Sequence, residues 1–270
     1  MAEGRGARSW QSLTTDEVDD VAGRDPVVIL PLAAIEQHGP RLPLSTDLDI
    51  GLGLIDEAFA HLPADFPAWV LPPLPVGCSR EHARFAGTLS LEPELLTATI
   101  EQVGESLAAA GVRRLVLSNS HGGNRQAMDE AGLRLRDLQD MLVVKASWFR
   151  FPRPDGVEVD AAEWTHGLHA GLIETAMMLH LRPELVRPHA ADGPQDGRSL
   201  GQELEGQLAH LGPEGAASFA WLAGDLHPSG AVGDASRAEA ALGARLVRHY
   251  GAVLARVIQD ARAFPLERLV

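Results

Sequence analysis

Nine consecutive apolar residues at positions 27–35, VVILPLAAI, constrain this chain more than any other feature. A strand with one wet face alternates polar and apolar residues, so an unbroken run of this length needs cover on both faces. Further apolar-rich runs follow at 69–76 (WVLPPLPV), 114–120 (RLVLSNS) and 141–147 (MLVVKAS). Between them, residues 48–60, 92–110 and 125–140 carry apolar side chains at helical spacing. Strands alternating with helices predict right-handed β-α-β units, and hence a three-layer α/β/α sandwich around a mainly parallel sheet. Ser90 is the expected cap of the 92–110 helix, with Pro93 in its first turn and Gly111 at its end. Apolar residues from Leu242 to Ile258 recur at steps of three, four and one, so 235–263 reads as one long packing helix.

With 270 residues, 45% of them hydrophobic, the chain can bury one substantial core, and residues 1–270 are expected to form one domain. Its 23 basic and 37 acidic side chains leave a net charge of −14, a field that repels nucleic-acid backbones and anionic membranes. Cys78 is the only cysteine, so any metal must be held by oxygen and imidazole ligands. No apolar stretch has the length of a leader or a membrane span, and a cytoplasmic location is expected. No internal repeat is visible, and residues 188–217, rich in Gly, Pro and polar side chains, are assigned no role.

Three segments carry groups with chemistry. Directly after the first apolar run comes EQHGPRLPLSTDLD (residues 36–49), where open α/β sheets place their ligands. Residues two apart in extended chain point the same way, so Glu36 and His38 can face one cleft, and the Gly39–Pro40 turn can return Asp47 to them. Carboxylates and imidazoles suit zinc, manganese and related ions. The same pattern also fits a solvated loop with a strand-end cap. SNSHGGN (118–124) places His121 at a second strand end, equally open to a core histidine or an anion-binding helix start. HGLHAGLIETAMML (166–179) puts His169 at the mouth of a helix and Glu174 early in it, where an acid also serves the macrodipole.

Taken in order, EQHGPRLPLSTD (36–47), GTLSL (87–91), SHGGN (120–124) and HAGLIET (169–175) resemble the signature of the creatininase family. The resemblance implies a three-layer α/β fold and a dinuclear centre of zinc or manganese, with iron also admitted. Glu36, Asp47 and His121 would hold one ion, and His38 with a bridging Asp47 the second. Creatininase proper has an acidic ligand two residues beyond its strand-end histidine, where this chain has Gly123; Glu174 is taken as its replacement. His169 matches the family histidine that contacts substrate and moves protons. Ser79 falls in the substrate-facing loop, PVGCSREH, together with His82. Trp164 lies one place away from the nearest of the family's aromatic positions, so the resemblance does not choose creatinine over other amides as the substrate.

The function expected is hydrolysis of a non-peptide C–N amide bond in a cyclic amide, a formamide or a modified peptide. Two ions about 3.5–4 Å apart activate a water and polarise the carbonyl, while a histidine serves the leaving nitrogen. Two-metal phosphoester cleavage is the competing class, with Arg41 and Arg80 the nearest basic residues in sequence. A non-catalytic, metal-stabilised binding protein is a third. The resemblance further implies a homo-oligomer such as a hexamer acting on a small molecule.

Overall fold

The computed structural model describes residues 6–187 and 199–269. Its elements run in the order α1 (Thr15–Ala22), β1 (Val27–Leu32), α2 (Thr46–His61), β2 (Ala68–Val70), α3 (Pro93–Ala109), β3 (Arg114–Asn119), α4 (Arg125–Gln139) and β4 (Leu142–Ser147). There follow α5 (Ala161–His166), α6 (Leu172–Leu181), α7 (Leu200–Glu203), a small pair β5 (Leu211–Gly212) and β6 (Ala217–Ser218), α8 (Ala223–Leu226) and α9 (Ala240–Ala263). The main sheet has strand order β2-β1-β3-β4 with every neighbour parallel, so the expected three-layer sandwich is what forms. Of the segment given no role, residues 188–198 lie outside the described residues.

Alternate side chains of the first strand serve opposite cores. Val28, Leu30 and Leu32 pack with Leu115 and Leu117 beneath Leu96, Ile100, Met128 and Leu135 of α3 and α4. Val27 and Ile29 pack with Val116 against Ile55 and Phe59 of α2 and Leu254 and Ile258 of α9. This double burial is why β1 needs an unbroken apolar run. Pro31 is tolerated because β2 has ended at Val70, and the Pro31 carbonyl still accepts from the Leu74 N–H at 2.9 Å.

Several expected boundaries move. The strand expected over 69–76 stops at Val70, since Pro72, Pro73 and Pro75 have no N–H for a ladder, and only Leu74 bridges back to Leu32. Ser90 does not cap α3, whose N-cap is Glu92; the Ser90 hydroxyl instead accepts from the Ser79 N–H at 2.9 Å. The long helix begins at Ala240, after a separate 3-10 turn at Ala235–Arg237.

Helices α6 and α9 approach closely at Gly243, where a Cβ would run into the carbonyl oxygen of Ala176. Alanine in a helix interior ordinarily gains about 1 kcal/mol over glycine. Here Gly243→Ala is expected to destabilise the fold by about 1–3 kcal/mol through overpacking. A urea-unfolding midpoint that stays constant or rises would contradict this packing.

Candidate metal centre

Parallel neighbours β1 and β3 end side by side, so the segments that follow them converge at the carboxyl edge of the sheet. The loop bearing Glu36 is pinned on both flanks. The Leu89 N–H donates to the Ile35 carbonyl at 2.8 Å, and the Gln37 N–H to the Thr88 hydroxyl at 3.0 Å. This gives the GTLSL run a physical purpose: it buttresses the strand exit. Asp47 enters from the first turn of α2 and Glu174 from the first turn of α6, where the helix dipole favours an acid.

All five sequence-derived ligand candidates come together. Glu36, His38, Asp47 and His121 are each no more than 5% exposed. The Asp47 carboxylate lies between two imidazoles, with Oδ1 3.4 Å from His38 Nε2 and Oδ2 3.3 Å from His121 Nδ1. Glu36 Oε1 is also 3.3 Å from His121 Nδ1. Glu36, Asp47 and His121 form one group of converging donor atoms, and His38, His169 and Glu174 form another. A third joins Glu36, His82 and His169. Glu36 Oε2, His38 Nε2 and Asp47 Oδ2 are buried without a hydrogen-bond partner. Orphaned donors and acceptors cost free energy unless something else meets them. Hard carboxylates and imidazoles, with no thiolate among them, fit divalent ions in both number and type.

Backbone carbonyls orient the imidazoles. His121 Nε2 lies 2.7 Å from the Cys78 carbonyl and His38 Nδ1 3.1 Å from the Glu36 carbonyl, and a carbonyl can only accept. In its neutral form each ring therefore keeps its proton on the outer nitrogen and turns a lone pair to the centre, the tautomer that a metal ligand needs. Gly123 is required here, because a Cβ at that position would run into the same Cys78 carbonyl. The Glu174 carboxylate accepts from the Ala170 N–H at 2.6 Å, with Ala170 held at a left-handed φ of 55°.

His82, expected only as a companion of a substrate loop, is buried with Nε2 3.5 Å from Glu36 Oε1. Ser79 is fully buried and sets its hydroxyl 3.3 Å from His121 Nε2, so in this structure its contact is with His121. Asp49, the nearest alternative acid, is engaged by Arg182 at 2.8 Å. Arg80 is exposed and pairs with Glu92.

Beside the centre opens a cavity of about 750 Å³. Glu36, Asp47, His121, His169 and Glu174 form part of its wall, and Trp148, Trp164, Phe219, Trp221 and Tyr250 supply an aromatic part. Sequence reasoning missed Glu81, which also lines the cavity 3.5 Å from His121 Nε2. It missed Glu163, whose carboxylate accepts from the backbone N–H groups of Leu172 and Asp234 and ties the His169 segment to the 232–234 loop. No local motif marks either residue; each is an isolated acid in a segment without apolar periodicity.

A fold of this kind, with clustered carboxylates and imidazoles at the carboxyl edge of a parallel sheet, defines a class of α/β/α proteins built for divalent ions. The family profile described as creatininase, creatinine amidohydrolase, matches residues 11–258, and the chain belongs to the creatininase family. Over 169 residues it is 40% identical to the mycofactocin precursor peptide peptidase of Mycobacterium tuberculosis (strain ATCC 25618 / H37Rv), a match that covers 60% of this chain and 61% of that relative. It is 35% identical to the creatinine amidohydrolase of Pseudomonas putida over 182 residues, 62% of this chain and 68% of that one. A solved mutant creatininase of Zn-Zn type superposes with a TM-score of 0.69 at 27% identity, covering 94% of this chain and 98% of that one. Another solved creatininase carries manganese in its name.

The charges of the cluster follow from burial and proximity. Burial alone would depress the His38 imidazole, but Asp47 outweighs it and raises His38 to about 9. His121 is likewise disfavoured by burial and lifted well above its ordinary value by Glu36 and Asp47. Burial raises Glu174 to about 7 against the opposing pull of His38. A histidine with a raised folded pKa gives stability that is complete below its unfolded value and lost as pH climbs through the folded one. Chelator-treated protein should therefore lose thermal stability between pH 6.5 and about 9, measured by scanning calorimetry. A melting temperature that is flat or rising across that window would contradict the protonated cluster.

Proposed function

We propose that this chain is a metal-dependent amidohydrolase, acting as one domain, that cleaves a C–N bond of a small amide or modified-peptide substrate at a centre of two divalent ions. The observation that carries the reading is the single Asp47 carboxylate with one oxygen toward each of two histidines, in a cluster whose buried atoms lack partners. Glu36, Asp47 and His121 would hold one ion, and His38 and Glu174, which converge, would hold the other with Asp47, whose Oδ1 lies beside His38; zinc or manganese are the ions suited to these donors. When bound, such ions supply a water of lowered proton affinity and polarise a carbonyl oxygen.

The chain's own groups do the rest. His169 is anchored by Nε2 on the Gln37 carbonyl at 2.6 Å and presents Nδ1 inward, 3.7 Å from Glu36 Oε1. Burial, with His38 and His82 nearby, holds its pKa well below the ordinary value, so the ring is neutral. It first takes a proton from the attacking water and then gives it to the leaving nitrogen. Ser79 and the Cys78 carbonyl keep His121 in place. The aromatic wall and the cavity volume suit an organic substrate larger than a formyl group.

The relatives' names give amide chemistry on both peptide-derived and cyclic substrates, and this supports the reaction class without choosing a substrate. Arg125 and Arg150 on the cavity wall favour one second reading, two-metal phosphoester cleavage. A panel of cyclic amides, formamides, modified peptides and phosphoesters, assayed with zinc-loaded and manganese-loaded protein, separates the readings. Turnover of an amide with none of the phosphoesters is the expected outcome. Turnover of phosphoesters alone would replace the proposal, and a protein inert to the whole panel would contradict it.

General acid–base groups contribute about 10²–10⁴-fold in rate. His169→Ala is accordingly expected to keep its circular-dichroism spectrum and its bound ions while turnover of the hydrolysed amide falls within that range. Loss of an ion on the same preparation would make His169 a ligand and displace the proton-transfer role.

A further inference from the structure

Gln37 lies between the two proposed ligands Glu36 and His38, yet its own side chain faces a different pair of groups. The amide orientation is fixed by two backbone partners: Oε1 accepts from the Gly39 N–H at 2.9 Å, and Nε2 donates to the Gly230 carbonyl at 2.9 Å. Turning the amide over would set donor against donor and acceptor against acceptor. Gly230 sits at φ 77°, and a Cβ there would lie 2.5 Å from Gln37 Oε1, so the seat exists only because this residue is glycine.

The remaining N–H of that amide meets His82 Nδ1 at 2.8 Å. An amide nitrogen can only donate, so Nδ1 of His82 accepts, and in the neutral ring the proton stands on Nε2. That nitrogen points inward, 3.5 Å from Glu36 Oε1. The backbone carbonyl of the same Gln37 receives the Nε2 proton of His169 at 2.6 Å and leaves Nδ1 of His169 bare toward the centre. The two rings lie with centroids 4.3 Å apart and planes tilted by 34°, and both line the cavity. One residue thereby turns two neighbouring histidines to face the same space with opposite ends.

We propose that Gln37 is a positioning residue that fixes this division, so that His82 offers the reacting carbonyl oxygen a permanent N–H while His169 offers the attacking water a lone pair. The inference rests on reading the site as an amidohydrolase centre. As water oxygen bonds to the carbonyl carbon, the water proton passes to His169 Nδ1 and charge gathers on the carbonyl oxygen beside His82 Nε2–H. When the C–N bond breaks, that proton leaves with the amine nitrogen, and the net change is amide plus water to carboxylic acid plus amine. A neutral imidazole donor stabilises such an oxygen without giving up its proton, and no ion is needed on that nitrogen.

The test is nitrogen-15 NMR of histidine-labelled, zinc-loaded protein, with zinc content measured on the same samples. The wild type should show His82 with a protonated Nε2 and a bare, hydrogen-bonded Nδ1, neither of them zinc-bound. Gln37→Glu puts an acceptor opposite Nδ1 and should move the proton onto that atom. It should keep its zinc and lower kcat on the panel amide by about 10²-fold, the size of losing one such donor, with KM little changed. Gln37→Met, which only removes the constraint, should give a mixture of tautomers and a smaller loss, and it guards against misfolding of the charged variant. A zinc-bound nitrogen or a protonated Nδ1 at His82 in the wild type would overturn the proposal. So would a Gln37→Glu protein with the moved proton and unchanged kcat. If the wild-type tautomers are as expected but no amide is turned over, the amidohydrolase reading fails and the hydrogen-bond arrangement stands.

Discussion

One buried carboxylate sets the terms for the rest of this structure. Asp47 is 3% exposed between His38 and His121, and one of its oxygens has no hydrogen-bond partner. A charge in such a place is costly unless paired, so the surrounding elements have to deliver opposite charge at short range. The parallel sheet does this by ending β1 and β3 next to each other, which brings His38 from the first exit and His121 from the second to the two oxygens of Asp47. The N-termini of α2 and α6 add favourable dipoles behind Asp47 and Glu174. Around them, backbone carbonyls of Cys78, Glu36 and Gln37 take the outer protons of three imidazoles. The cluster is thus pre-oriented, with the inner imidazole nitrogens and carboxylate oxygens already facing inward.

The same arrangement accounts for a departure within the creatininase family. The chain has Gly123 where the resemblance led to an acidic ligand, and the path of the backbone explains it. The Cys78 carbonyl that holds His121 occupies the space of any side chain at 123. In the proposed centre the acid would come from α6 instead, where Glu174 is anchored by the Ala170 N–H. Glu163 supports that segment from outside: side chains at Gly171 or Gly233 would collide with its carboxylate.

Much of this was legible in the sequence because it rests on short-range rules. Unbroken apolar runs marked β1 and β3, and the polar residues after each marked the site, since a parallel sheet collects its strand exits at one edge. Other parts were not legible because they depend on distant partners. Ser90 has the chemistry of a helix cap, but a backbone N–H eleven residues away, at Ser79, claims its hydroxyl. Ser79 and His82 sit three residues apart in one loop, yet only the folded chain shows that the first backs His121 while the second faces Glu36. Gln37 drew no notice between two stronger ligand candidates. Its partners, Gly230 and His82, are 193 and 45 residues away.

The central claim is that this cluster exists to share two divalent ions through Asp47. Calorimetric titration of chelator-stripped protein with zinc, with bound metal counted by atomic emission, tests it most directly. The account predicts two ions per chain in the wild type and loss of both in Asp47→Asn, whose amide cannot supply the charge that both cations share. Saturation at a single ion, or an Asp47→Asn protein that still binds two with undiminished affinity, would contradict it.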